Sequence, residues 1–444
     1  MRSEDPTPEN APASHESRPA RCVHHALKAL PSGTGLVVAL SGGLDSTLLL
    51  TLAVALCRER TPLRAIHVNH GLQPAAAAFE AHCRALCAAL GVPLTVATVE
   101  VAVEKGGQGP EATAREARYR ALVAQTTPHE VLWLAQHADD QAETFLLAAL
   151  RGGGVRGLAA MPETRRWQHR VFQRPLLAFS RSELEDEARR LGLSWCEDPT
   201  NTDRQLDRNY LRHEVMAPLR RRWPQVAVML SRSAGWLGEA DELLEELAAE
   251  DLARAGGDPG CLPLYAMSAL GASRQRLLIR HALSRLALPH PPGARLMELS
   301  RQLTEAAPDR LVQVEWPGGE ARLWRGMLYL KAPQRPVASH FQTEWDGRSP
   351  LSTPRGVLNY RLESHEGAEA LALTVTSRRG GERLCLEGRG TKAVKRLLQE
   401  SAVPPWQRDG VFVVWHQGTP VALLGVLSLA ARGWRLTVES DEVS

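Results

Sequence analysis

The stretch Ser41-Gly42-Gly43-Leu44-Asp45-Ser46 restricts this chain more than any other. Before it, Leu36-Val37-Val38-Ala39-Leu40 is an unbroken β-prone apolar run, suited to a strand buried on both faces. After it, the Ala/Leu-rich run from Ser46 to Arg60 is long enough for a helix. A strand, a two-glycine turn and a helix N-terminus make an anion site, because backbone N–H groups converge and the helix dipole adds positive potential. Ser41 and Ser46 could hold phosphates through amides and hydroxyls, and Asp45 could help hold a metal ion. No Lys follows the glycines as a Walker-type loop requires, and the loop is not a G-x-G-x-x-G fingerprint. The ordinary alternative is a capped strand-to-helix turn.

The next hundred residues alternate strand and helix patterns. Strands are expected at Leu63–Val68, Leu94–Val101 and Val131–Ala135, with helices at Pro74–Leu90, Pro110–Gln125 and Asp139–Leu150. Such alternation predicts a parallel α/β sheet with helices on both faces and ligands at the carboxyl ends of the strands. His67, His70, His137, Asp139 and Asp140 fall at those ends. Asp139 can cap its helix, while Asp140 could hold Mg²⁺ or orient an incoming amine. Arg115 either pairs with Glu111 one turn away or reaches a phosphate or substrate. Gly152-Gly153-Gly154 reads as a loop closing over substrate.

The hexapeptide resembles the signature of the PP-loop, or N-type, ATP pyrophosphatases. Five further stretches occur in order: His67-Val68-Asn69-His70-Gly71-Leu72, Glu111-Ala112-x-x-Arg115-x-x-Arg118-Tyr119, His137 to Thr144, Arg151 to Leu158, and Arg174-Pro175-Leu176-Leu177. Together they resemble the tRNA(Ile)-lysidine synthetase family. That resemblance implies ATP-dependent adenylation of the C2 oxygen of the wobble cytidine in a CAU-anticodon isoleucine tRNA, followed by attack of free L-lysine. It also implies ATP on Ser41, Gly42, Gly43, Leu44, Asp45 and Ser46 with His67 beside them, and Mg²⁺ held with help from Asp45 and Asp140. Asp45, Asp140, Arg115 and His137, the last as a proton shuttle, are the expected catalytic groups. Gln136 and Gln73 depart from residues common in the family.

Beyond the catalytic fold, Arg204, Arg208 and Arg212 recur at four-residue spacing, as on one side of a helix, before a kink at Pro218. A solvated charged face competes with phosphate binding here, and the position directly after the catalytic fold favours tRNA. Long helical patterns follow from Val228 to Ala255, Ser273 to Leu286 and Ala294 to Ala307, then strand-like Leu311–Trp316 and Arg322–Leu330. The last unit places Lys392, Lys395 and Arg396 on a short helix and a hairpin around Gly418. It resembles the C-terminal domain of longer family members, which implies contact with the tRNA acceptor arm. The expected organisation is a disordered tail over 1–20, a PP-loop catalytic domain over 21–222, a helical tRNA-binding accessory domain over 223–332, a linker over 333–368 and a C-terminal α+β tRNA-binding domain over 369–438.

Composition bounds the alternatives. Net charge is +3 over 444 residues, so any nucleic-acid surface must be a local patch. Seven Cys occur without a C-x-x-C pair, which disfavours a persulfide or iron–sulfur PP-loop thiolase and fits free thiols in a reducing compartment. No apolar run reaches a membrane span, and a cytoplasmic protein is expected. A non-catalytic nucleotide- or tRNA-binding protein is the other competitor. Oligomeric state, a homodimer included, stays open.

Overall fold

The computed structural model describes residues 17–57, 61–69, 76–99, 110–198, 203–304, 312–333, 340–365, 367 and 372–438; at 110–112 and 114 only the backbone is described. The expected turns at 70–73, 105–109 and 199–201, most of the tail, and the Glu111 side chain lie outside these residues. The chain divides into two compact units, Met1–Glu246 and Leu247–Ser444.

The first unit opens with α1 (Arg18–Lys28), capped by Ser17, so residues 18–20 belong to a helix. There follow β1 (Gly35–Ala39), α2 (Leu44–Leu56), β2 (Leu63–Asn69), α3 (Ala76–Leu90), β3 (Leu94–Thr98), α4 (Pro110–Ala124), β4 (Glu130–Trp133) and α5 (Ala138–Leu150). A helical turn α6 (Val155–Leu158), hairpin β5 (Thr164–Trp167) and β6 (Arg170–Gln173), and α7 (Arg181–Arg190) complete the α/β part. Sheet order is β3-β2-β1-β4-β6-β5, parallel except for β5. The order reverses beside β1, so the mouth between the carboxyl ends of β1 and β4 is the switch point where this architecture binds ligands.

The unbroken apolar reading of β1 is explained by burial on both faces. Leu36, Val38 and Leu40 pack with Leu48, Leu49 and Leu52 of α2, Cys83 and Cys87 of α3, and Leu184 of α7. Val37 packs on the other side with Ile66, Leu132, Phe172 and Leu122 of α4. Each fully buried leucine contributes about 2 kcal/mol, which anchors the loop after β1 at its strand end. The expected capping box of Ser180 and Glu183 forms at α7. The glycines after α5 close that helix: Gly152, at φ 70°, and Gly153 donate back to Ala149 and Ala148.

Arg204, Arg208 and Arg212 do not share one regular helix. Arg204 precedes α8 (Asp207–Tyr210), and Arg212 lies in a π-helical segment, Leu211–Met216, that runs into α9 (Ala217–Arg222). Pro218 sits in the first turn of α9, where its missing N–H is tolerated. The wider π turn changes the angular spacing, so a four-residue period no longer keeps one side. Helix α10 (Val226–Arg254) follows.

In the second unit, β7 (Cys261–Pro263), α11 (Leu264–Ser268), α12 (Ala272–Arg285), α13 (Gly293–Thr304), β8 (Val312–Trp316), β9 (Gly319–Trp324) and β10 (Met327–Lys331) form an antiparallel sheet β7-β10-β9-β8 packed on helices. The run 322–330 is thus not one strand; Arg325 and Gly326 turn it back. The stretch expected as a linker carries β11 (Gln342–Trp345), β12 (Leu351–Thr353), β13 (Gly356–Leu358) and β14 (Tyr360–Ser364). Then come β15 (Leu373–Ser377), β16 (Arg383–Leu386), β17 (Gly390–Ala393), α14 (Val394–Glu400), β18 (Val411–His416), β19 (Thr419–Gly425), β20 (Leu429–Ala430) and β21 (Trp434–Val438). β11 pairs with β15 and β14 with β21, partners too distant in sequence for local pattern to reveal. Gln417 and Gly418, both left-handed, make the expected hairpin turn.

Candidate active site

The loop after β1 is held from within. Ser46 Oγ accepts the Ser41 N–H at 3.1 Å, lies 3.0 Å from Ser41 Oγ, and donates to the Gly43 carbonyl at 3.1 Å. Gly42 has φ 86°, and a Cβ there would stand 3.1 Å from Cys83 Sγ. Gly43 is the N-cap of α2, and no side chain caps that helix start. Its first amides therefore remain available for an oxyanion. His67 supports the loop from below: the buried ring places Nδ1 2.9 Å from the Leu40 carbonyl and 3.4 Å from Cys83 Sγ. Burial pushes the Cys83 thiol up to about 12, so it serves as packing.

Opposite the loop, His137 caps α5. Its Nδ1 accepts the Asp139 N–H at 3.2 Å, while Asp140 Oδ2 accepts the His137 N–H at 3.1 Å. The cap expected of Asp139 belongs to His137 because α5 starts one residue earlier, at Ala138. Asp139 instead accepts the Arg181 N–H at 2.8 Å and pairs with Arg220. Burial alone would raise the Asp139 pKa, but His137, the Arg181 N–H and Arg220 more than offset it and hold the carboxyl below its usual range.

The two sides meet at His137. Its Nε2 lies 3.6 Å from both Asp45 Oδ2 and Asp140 Oδ2. Burial alone would depress the ring's pKa, but Asp140, Asp139 and Asp45 together raise it to about 9. With Nδ1 accepting in the cap, the ring proton sits on Nε2; a second proton would have to displace the cap and turn toward Asp139 Oδ2, 3.6 Å away. Burial raises the Asp45 pKa, His137 opposes this, and Asp140 adds to it. Asp45 Oδ1 is buried without a hydrogen-bond partner. A buried carboxylate oxygen in that state fits a cation or a ligand donor. Among the described residues no group of three or more His, Cys, Asp or Glu forms a metal cage, so an ion here would take further ligands from phosphate oxygens and water.

Three residues read as tRNA-facing have protein partners, two of them on α5 beside this centre. Arg212 pairs with the fully buried Glu143 at 2.7 Å and approaches Asp140 to 3.9 Å. Arg208 donates to Thr144 Oγ1 at 3.2 Å, and Arg204 pairs with Glu214 at 2.8 Å. Glu143 was not singled out by sequence, although it lies one helical turn from Asp139 and Asp140. Arg115 approaches Met161 Sδ at 3.7 Å and lies over the Tyr119 ring. Gln136 accepts from the buried Arg174 and donates to Tyr119 Oη at 3.5 Å. In the second unit Lys392 lies on β17 rather than on the short helix, and it shares Glu400 with Arg396 of α14.

Family models match the chain in three places: a PP-loop domain over 16–219, a TilS substrate binding domain over 262–329 and a TilS substrate C-terminal domain over 373–435. A tRNA(Ile)-lysidine synthase of Alkalilimnicola ehrlichii is 42% identical, covering 98% of each chain. The chain belongs to the tRNA(Ile)-lysidine synthase family. Relatives of the same name from Pseudomonas aeruginosa and Methylococcus capsulatus are 43% and 39% identical, covering 91% and 90% of this chain and 93% and 94% of theirs. Membership makes the chain an ATP-using enzyme of the ligase type, with the loop after β1 as its PP-loop. No described helix is long and apolar enough to cross a membrane.

Proposed function

We propose that the chain converts the wobble cytidine of a CAU-anticodon isoleucine tRNA to lysidine in the cytoplasm, using ATP and L-lysine and releasing AMP and pyrophosphate. The observation that carries this reading is the juxtaposition of the uncapped α2 N-terminus with Asp45, His137 and Asp140 at one sheet mouth.

The amides at the start of α2 and the hydroxyls of Ser41 and Ser46 receive the phosphates of ATP, where they stabilise charge developing on departing pyrophosphate. The cytidine, splayed from a single-stranded loop, presents its C2 oxygen to the α-phosphate. Asp45 and Asp140 are the residues that would hold Mg²⁺, which when bound neutralises phosphate charge. Asp140 orients the lysine amine, and His137 Nε2 is placed to exchange a proton with either carboxylate. Arg115 receives a phosphate or substrate anion. Arg204, Arg208, Arg212, Lys392, Lys395 and Arg396 supply tRNA contacts, Arg208 and Arg212 while also holding α5.

The test incubates the protein with ATP, labelled lysine and CAU-anticodon tRNA. Label in the tRNA with equimolar AMP is expected. Release of ADP, transfer of sulfur, or tRNA binding without label overturns the reading.

A further inference from the structure

The second unit contains an excess of guanidinium groups that the reaction does not use. The turn between β9 and β10 is Arg325-Gly326, with φ 49° and 73°. A two-residue hairpin of this kind favours Asn or Gly at its first position, so an arginine there bears strain. The Arg325 guanidinium lies 4.8 Å over Trp324, and Trp324 stacks edge-on against Trp406 at 6.2 Å. Trp406 and Arg408 belong to one 3₁₀ turn, Pro405–Gly410. Arg355 Nε approaches the same turn at Gly410 and is buried without a hydrogen-bond partner, as is Trp406 Nε1.

The carboxylates nearby are committed. Glu320 is buried between Arg322 at 2.8 Å and Lys331 at 3.0 Å, and both of those cations lie over the Trp406 ring. Glu382 accepts the N–H groups of Arg379 and Gly380, with Arg378 4.0 Å away. Arg408 donates to the Val403 carbonyl at 3.0 Å, and burial, with the charges of Arg378 and Arg325 adding to it, lowers its pKa. Among the described residues no carboxylate pairs with Arg325, Arg355 or Arg408. Like charges gathered around the Trp324–Trp406 pair, with donors left over, await an oxyanion.

We propose that Arg325, Arg355, Arg378 and Arg408 form a binding site for a backbone phosphate of tRNA. Arg322, Lys331 and Glu320 clamp Trp406 in place, and the Trp324 ring lies under the Arg325 guanidinium. This deepens the tRNA reading above and rests on it.

The test measures binding of CAU-anticodon isoleucine tRNA to the full chain by fluorescence anisotropy across a salt series, for wild type, Arg325→Gln and Arg325→Gln/Arg408→Gln. The double variant is expected to weaken binding by roughly tenfold at low salt and to flatten the log–log salt slope by about 0.9, the loss of one phosphate contact, and Arg325→Gln alone to show part of both effects. The ATP Kd is expected to stay unchanged, and the Tm of Arg325→Gln is expected not to fall, because a like charge is removed. Wild-type tRNA affinity and slope in both variants overturn the proposal, as does a lowered Tm of Arg325→Gln with unchanged binding, which marks a structural latch. Should Arg325→Gln/Arg408→Gln lower the Tm, the single Arg325 variant decides. The lysine-transfer assay on wild type separates the outcomes: label incorporated with variants binding normally sinks only this site, whereas no label and no tRNA binding sinks the tRNA reading with it.

Discussion

Arg212 donates from Nε and Nη2 to the two oxygens of Glu143, at 2.7 and 3.1 Å, and Glu143 has no solvent exposure. A residue after the α/β sheet thereby fixes the helix that carries His137 and Asp140. Burial raises the Glu143 pKa and Arg212 opposes it, so removing the arginine strands a buried carboxyl. Arg212→Met is expected to lower stability by about 3 kcal/mol, read by urea denaturation. Arg212→Met/Glu143→Leu should recover most of that loss. A single variant as stable as wild type refutes the structural part of the pair.

Gly42 sits at φ 86° with Cys83 Sγ 3.1 Å from where a Cβ would be. Gly42→Ala is expected to raise the Kd for ATP at least about tenfold and to lower stability by about 1–3 kcal/mol. Adding Cys83→Ala relieves the contact but not the backbone strain, so rescue should be partial. Full rescue by the second substitution argues that the left-handed backbone is irrelevant.

The carboxylates around His137 raise its pKa to about 9. Because the folded value lies above the unfolded one of about 6.5, this stabilisation is complete below that pH and is lost as pH rises through about 9. Wild-type stability should fall by at most about 3 kcal/mol over this alkaline window. His137→Asn keeps a capping side chain and should lose the pH dependence. An identical alkaline decline in the variant assigns it to another group.

Asp45 offers a buried oxygen with no partner at the mouth of the phosphate loop. Asp45→Ala is expected to abolish tRNA-dependent ATP–pyrophosphate exchange while Tm holds or rises, since a desolvated carboxyl is removed. Exchange at the wild-type rate refutes its role.

The glycine-serine loop, the buried strand before it and the α/β alternation were legible because each is a local pattern with one physical solution. Strand β1 could not be apolar at Leu36, Val37 and Val38 unless both faces were covered. His137 and Asp140 were also visible, as polar residues at a strand end. The pairings of Arg212 with Glu143 and of Arg220 with Asp139 were not, because the partners lie 69 and 81 positions apart and no local pattern joins them. The π segment escaped for a similar reason: its widened turn is stabilised by packing of Met216 against Ala142 and Ala227, not by any periodicity of its own. Sequence by itself determined that a phosphate loop ends the first strand and which carboxylates stand near it, since turn chemistry and burial act over a few residues. Only the tertiary structure decided which arginines neutralise those carboxylates and which are left to meet an anion, since charge pairing depends on distance in space.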